Sequence, residues 1–310
     1  MKSLSGRQRK ERFAGWGMGA LTAFAAVLVP VIAAALLLRA RPLLDMAPLG
    51  QLLTASAWRP LQKEFGFLPF IVGSVSVTVL AMALAVPPCL LCAIYLAEYA
   101  PRRLRDIVKP LIDLLAGIPS VVYGLWGVLM IVPLIRDTLI PWSQTHLPNA
   151  PLLQSQNPTG YSILAGGIVL AAMVFPVIIS TAEEVIFAVP GGLREAALAL
   201  GATRWQTIKG VVLRRALPGI LASVILGFSR AFGETMAVMM VVGNVPQLPR
   251  SIFDAGYPLS ALIANNYGEM MSIPLYDAAL LAAAFILLLI VLIFTIIARL
   301  FLLRAIKRAT

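Results

Sequence analysis

The chain has 310 residues, of which 60% are hydrophobic and 13% charged, with a net charge of +11 and a mean hydropathy of +0.89. Soluble domains carry roughly a quarter charged residues, so a soluble globular fold is excluded. With no soluble domain to carry a nucleic-acid face, the basic balance points to loops lying against anionic lipid, not to nucleic acid.

In chain order, six apolar stretches meet the roughly 20 helical residues needed to cross a bilayer: Gly17–Leu38, Phe67–Tyr95, Ile107–Ile135, Tyr161–Ile186, Pro218–Val242 and Leu275–Leu303. The first follows a basic head (Lys2, Arg7, Arg9, Lys10, Arg12) and mimics a signal peptide. Its apolar core exceeds the roughly 7–15 residues of a cleaved segment, so it reads as a retained anchor. Residues 1–16 are then a cytoplasmic tail and 17–310 one transmembrane domain, without a 20–50-residue repeat. Cys89 and Cys92 form a CxxC inside the second apolar stretch, where the reading is small apolar residues facing lipid or helix.

The basic residues set orientation. With the N-terminus inside, the head, Arg102–Lys109, Arg194–Arg215 and Arg299–Arg308 hold eighteen Lys and Arg, and the opposite loops hold six (Arg39, Arg41, Arg59, Lys63, Arg136, Arg250). Both termini are expected in the cytoplasm. His146, the only histidine, falls in an outside loop without a second ligand nearby, so no metal site is expected there.

In the third stretch Gly117, Ser120, Gly124 and Gly127 fall at helical offsets 0, 3, 7 and 10. Small residues let membrane helices approach closely, so this face either meets another helix, in this bundle or a partner, or borders a pore.

The cytoplasmic segment 181–217 is too long for a tight turn. Leu193–Leu200 is rich in helix formers, Gly201 is a good stop and Thr203 can cap a second helix. The pattern predicts a helix, a bend and another helix on the cytoplasmic surface, which could be an amphipathic hairpin on lipid. Glu195-Ala196-Ala197 followed by Gly201 resembles the EAA motif of ABC-importer permeases. Val211-Val-Leu213 stands where that motif continues, with Arg214 in place of its proline and Pro218 matching a later one. The resemblance implies that this helix docks in a separate ATP-binding subunit. No Gly-x-x-x-x-Gly-Lys-Ser/Thr loop is present, so ATP and Mg are left to partner subunits and no cofactor is expected in this chain.

The fifth stretch carries Arg230 and Glu234, expected near mid-bilayer and one turn apart on one helix face. A buried charge there marks either an ion pair that fixes packing or a solute pathway. Arg offers a planar fork suited to phosphate oxygens, and Thr235 or Ser229 could add a hydroxyl.

Three blocks extend the resemblance over about residues 72–299: Ile94-Tyr-Leu-Ala-Glu98-Tyr-Ala-Pro101, Leu114-Leu-Ala-Gly117-Ile-Pro119-Ser120-Val-Val-Tyr123-Gly124, and Arg230-Ala-Phe-Gly233-Glu234-Thr235-Met-Ala-Val. They are similar to phosphate-importer permeases, and Gly243-Asn244 with Ile263-Ala264-Asn265…Gly268-Glu269 favours the PstC type. The resemblance implies an all-α membrane protein with the type I ABC importer permease fold, six transmembrane helices and a cytoplasmic coupling helix. It implies a non-enzymatic subunit of the bacterial inner membrane, with Arg230 and Glu234 in phosphate passage. The implied partners are a second homologous permease, two ATP-binding subunits and an extracytoplasmic phosphate-binding protein. Sulfate, molybdate or phosphonate remain alternative cargoes, and a secondary transporter or a structural subunit remain alternative classes.

Overall fold

The computed structural model describes residues 6–154, 157–270 and 273–309. Lys2 of the basic head and positions 155–156 and 271–272 of two loops lie outside the described residues. The fold is all-helical apart from one short hairpin, and six helices are long and apolar enough to cross a membrane.

Helix α1 (Gly6–Leu44) begins ahead of the apolar stretch that opens at Gly17. A short α2 (Leu49–Thr54) and the antiparallel strands β1 (Trp58–Arg59) and β2 (Glu64–Phe65) follow. The spans continue as α3 (Leu68–Tyr99), α5 (Ser120–His146), α6 (Ile163–Phe187), α8 (Arg204–Phe232) and α11 (Tyr276–Ala309). Between them lie α4 (Arg102–Ala116), α7 (Gly191–Ala199), α9 (Met236–Val241) and α10 (Leu259–Asn266).

Helix α6 is the axis of the bundle. Lipid tails are as apolar as leucine, so helices associate through close packing instead of water exclusion. Gly166 meets Val77 and Gly167 meets Leu80 on α3, and Gly227 of α8 meets Ile178. The end of the bundle that carries Arg194 and Arg204, here the basic end, closes on Ala93, Ala182, Ile186, Val212 and Ala216. At the far end Trp58 stacks edge-on to Phe70, 4.8 Å between centroids, and to Phe65 at 5.5 Å. That aromatic cluster seats the hairpin on α3 and α11.

Two expected spans differ from those observed. The stretch 107–135 is not one helix: α4 ends at Ala116, and α5 starts at Ser120 after Gly117-Ile118-Pro119. Proline has no amide to continue the ladder and keeps the residue before it out of helical geometry. The fifth span stops at Phe232 and restarts at Met236. Apolar composition runs through both breaks, so hydropathy does not register them.

Both breaks lie alongside the central part of α6. On the basic-end half of α6, Ser180 donates to Asp113 of α4 at 3.2 Å. On its far half, Val169 packs on Gly127 of α5. The Gly117–Pro119 break therefore falls near the middle of α6. Gly227 lies beside Ile178, while Phe232 and Leu170 line one small cavity, which sets the Gly233–Thr235 break alongside the central part of α6, nearer its far half.

Candidate functional site: a mid-depth cation between two helix breaks

Arg230 occupies the last turn of α8 and is exposed on the surface of the isolated chain. The ion pairs among the described residues do not include it. Its guanidinium lies within electrostatic reach of the half-buried Tyr123 phenol on α5. Tyr123 in turn donates to the Leu115 carbonyl at 2.9 Å, spanning the Gly117–Pro119 break. Ser229 is turned back on its own helix, donating to Ile225 O at 3.0 Å.

Glu234 is not on one helix face with Arg230, because the helix ends between them. Its Oε1 accepts from the Ala237 amide at 3.1 Å and so caps the start of α9. Its carbonyl accepts from Ser260 Oγ at 3.1 Å. Thr235 donates to Gly233 O at 3.4 Å. A cavity of about 10 Å³ beside Glu234 is lined in part by Ser74, Thr78 and Ser260. The arrangement is a free cation facing outward beside a carboxylate turned inward onto backbone.

The small-residue face divides. A Cβ on Gly124 would lie 2.6 Å from Met240 Sδ, and one on Gly127 would lie 2.6 Å from a Val169 methyl and 2.7 Å from a Val241 methyl. These two let α5 sit against α6 and α9. Gly117 is exposed and Ser120 half-buried at the break itself, close in depth to Arg230.

The EAA residues sit far from this site, at the basic end. Gly201 takes φ +83°, a backbone region that favours glycine, and it terminates α7 with its amide on Leu198 O. Thr203 and Gln206 cap the start of α8 reciprocally. Glu195 and Ala196 are exposed and Ala197 is half-buried. Leu193, Leu198 and Leu200 are exposed too, Leu200 at 90%. The outward face of α7 is an uncovered apolar surface beside one carboxylate.

Three features escape a reading of the sequence. Glu183 of α6 is 2% exposed and pairs with Arg105 and, at 3.2 Å, with Lys109, fixing α4 to α6. Glu98 of α3 pairs with Arg194 of α7 at 2.6 Å. Tyr123 reaches across a break that hydropathy hides. The first two pairs join residues 74 to 96 positions apart, and the sequence offers only an acidic group at each span's end as a hint. At the far end, a cavity of about 640 Å³ opens between Ser56, Asn157 and the 245–250 loop.

Residues 89–307 match the family described as binding-protein-dependent transport system inner membrane component. The chain is 40% identical over 253 residues to the phosphate transport system permease protein PstC of Xylella fastidiosa, covering 81% of this chain and 78% of that one. It is 37% identical over 255 residues to the protein of the same name from Mesorhizobium japonicum, covering 81% and 78%. Among solved structures it resembles a bacterial ABC transporter involved in the import of the acidic polysaccharide alginate. That match has a TM-score of 0.58 and 17% identity over 96% of this chain and 99% of that one, a likeness of fold.

Proposed function

The chain belongs to the binding-protein-dependent transport system inner membrane component family and is a permease subunit of a phosphate ABC transport system; on that premise we propose that phosphate passes along the exposed face of α8 at Arg230. One observation carries this reading: a guanidinium without an ion-pair partner among the described residues, exposed at mid-depth between two helix breaks. A charge facing lipid at that depth costs roughly 2.5–3.5 kcal/mol. A polar pathway shared with a second, similar permease subunit removes that cost. Broken helices are tolerated at membrane depth where they are buried in protein or line a watery cavity, which fits the same interface.

Phosphate as a dianion entering a negative-inside cell moves against about 4.6 kcal/mol per 100 mV, so accumulation needs an energy source. The membrane component of a binding-protein-dependent ABC transporter works with ATPase and binding-protein partners. In this chain α7 supplies the contact to the first: Leu193, Leu198 and Leu200 enter a cleft in an ATP-binding subunit, with Glu195 at the edge. Two such subunits serve the two permeases. An extracytoplasmic phosphate-binding protein delivers its cargo at the far end. The basic end and both termini are cytoplasmic, in a bacterial inner membrane.

The test is ATP-dependent uptake of radiolabelled phosphate into vesicles holding the assembled complex, wild type against Arg230→Gln. Lost uptake in an assembled variant is the expected result. Undiminished uptake removes Arg230 from the pathway. A wild type that hydrolyses ATP but takes up sulfate or molybdate instead reassigns the cargo.

A further inference from the structure

The end of α3 and the start of the coupling segment are tied by more than one ion pair. The last turn of α3, Tyr95–Tyr99, is a widened π turn, and it presents a Glu98 carboxylate that is 8% exposed. Arg194 of α7 meets Glu98 Oε1 with Nη2 at 2.6 Å and Nε at 3.1 Å. The same guanidinium donates to the Ile186 carbonyl at 3.0 Å and to the Val189 carbonyl, where α6 ends. Arg204, at the start of α8, donates to the Glu98 carbonyl and lies over the Tyr99 ring, 4.6 Å from its centroid. Three spans and α7 therefore meet around one pair of residues, Glu98 and Arg194.

A buried ion pair is a poor source of net stability, because desolvating both charges offsets their attraction. Its value is geometric: a forked guanidinium with four acceptor contacts permits one position of α7 relative to α3 and α6. Arg194 is half-buried on α7, whereas Leu193, Leu198 and Leu200 are exposed. Helix α3 leads from there to the other site. Pro87 and Pro88 lie eleven and ten residues before Glu98 and remove two amide donors, which gives the helix a place to flex. Beyond them Thr78 and Ser74 line the small cavity beside Glu234. Ser74 Oγ also accepts the Leu259 amide at 2.8 Å.

We propose that the Glu98–Arg194 pair is the contact through which movement of α7 reaches α3, so that breaking it uncouples ATP hydrolysis from transport without dismantling the complex. This rests on reading the chain as an ATP-driven permease. The second Glu-centred cluster, Glu183 with Arg105 and Lys109, joins only α4 and α6 and does not touch α7.

The test measures ATP hydrolysed and phosphate taken up in the same proteoliposomes, holding the full complex with its binding protein. Glu98→Gln, Arg194→Gln, the double variant and the milder Arg194→Lys are compared with wild type. The expected result is an intact complex in which each single Gln variant uses about fivefold more ATP per phosphate, in the range of ordinary coupling energies. The double variant is no worse than either single one, and Arg194→Lys lies between wild type and Arg194→Gln. A wild-type ratio in an assembled variant overturns the proposal, and so does loss of hydrolysis together with uptake. If the Gln variants fail to assemble, Arg194→Lys decides: a raised ratio supports the proposal, while a wild-type ratio or failed assembly assigns the pair a structural role. A wild-type complex that hydrolyses ATP without phosphate uptake is a failure of the cargo reading, and the ratio is then read with the oxyanion it does transport.

Discussion

Tyr123 holds the Leu115 carbonyl at 2.9 Å, so one phenol bridges the two halves of the broken third span on the side facing Arg230. Leu115 O keeps a second donor, the Ile118 amide at 3.3 Å, when the phenol is removed. Tyr123→Phe should therefore fold, lose about 1 kcal/mol of local stability, and lower the initial rate of phosphate uptake several-fold. A wild-type rate would mean that the bridge does not hold the pathway in shape.

The two polar groups of the fifth-span break should respond differently to conservative change. Arg230→Lys keeps the charge and loses the planar fork, and should leave uptake between that of wild type and Arg230→Gln. Equal rates for Lys and Gln would show that geometry, not charge, is what the pathway needs.

Glu234 caps α9 through the Ala237 amide. Gln retains an acceptor at that position, whereas Ala removes it at a cost of about 1 kcal/mol. Thermal unfolding of the purified subunit in detergent should rank Glu234→Ala below Glu234→Gln, with Gln near wild type. The reverse order would place the carboxylate's charge, not its cap, at the centre of stability.

Gly127 and Gly117 share a small-residue spacing in the sequence, but the helix break separates them and their surroundings differ. A Cβ at Gly127 meets two valine methyls at 2.6 and 2.7 Å, while at Gly117 the nearest atom is a backbone oxygen 3.4 Å away. Gly127→Ala should cost about 1–3 kcal/mol and Gly117→Ala less, measured by the same melt. Equal losses would sink the packing account.

Glu183 and Glu184 are neighbours with unequal burial, 2% against 60% exposed. Glu183→Gln leaves Arg105 facing a neutral group, at a cost of about 3–5 kcal/mol, while Lys109 keeps Glu184 at 3.2 Å. Glu184→Gln should cost under about 1 kcal/mol. Recovery of folded protein after extraction separates the two variants, and similar yields would contradict the assigned tether.

The number of spans was legible because about 20 consecutive apolar residues leave few alternatives. The helix, stop and cap of the coupling segment were legible because Gly201 and Thr203 act locally. The breaks were harder to read. Gly117-Ile118-Pro119 lies in an unbroken apolar run, and Gly233 ends a helix whose composition continues past it. That is why Arg230 and Glu234, four residues apart, do not share a face. A sharper reading of the block would have noticed Glu234-Thr235 ahead of Met236 as a helix-start signature. The Glu98–Arg194 and Glu183–Arg105 contacts depend on which spans are neighbours, and no local pattern encodes that.

The restart of α5 behind Pro119, with no side chain capping it, places main-chain amides at a depth where peptide groups ordinarily stay inside their own helix. Every residue type except proline supplies the same amide, so a substitution scan across positions 120 and 121 reads side chains while that chemistry stays constant. What mutation can abolish is the break itself, because Pro119 lacks the amide that would continue the ladder and keeps Ile118 out of helical geometry.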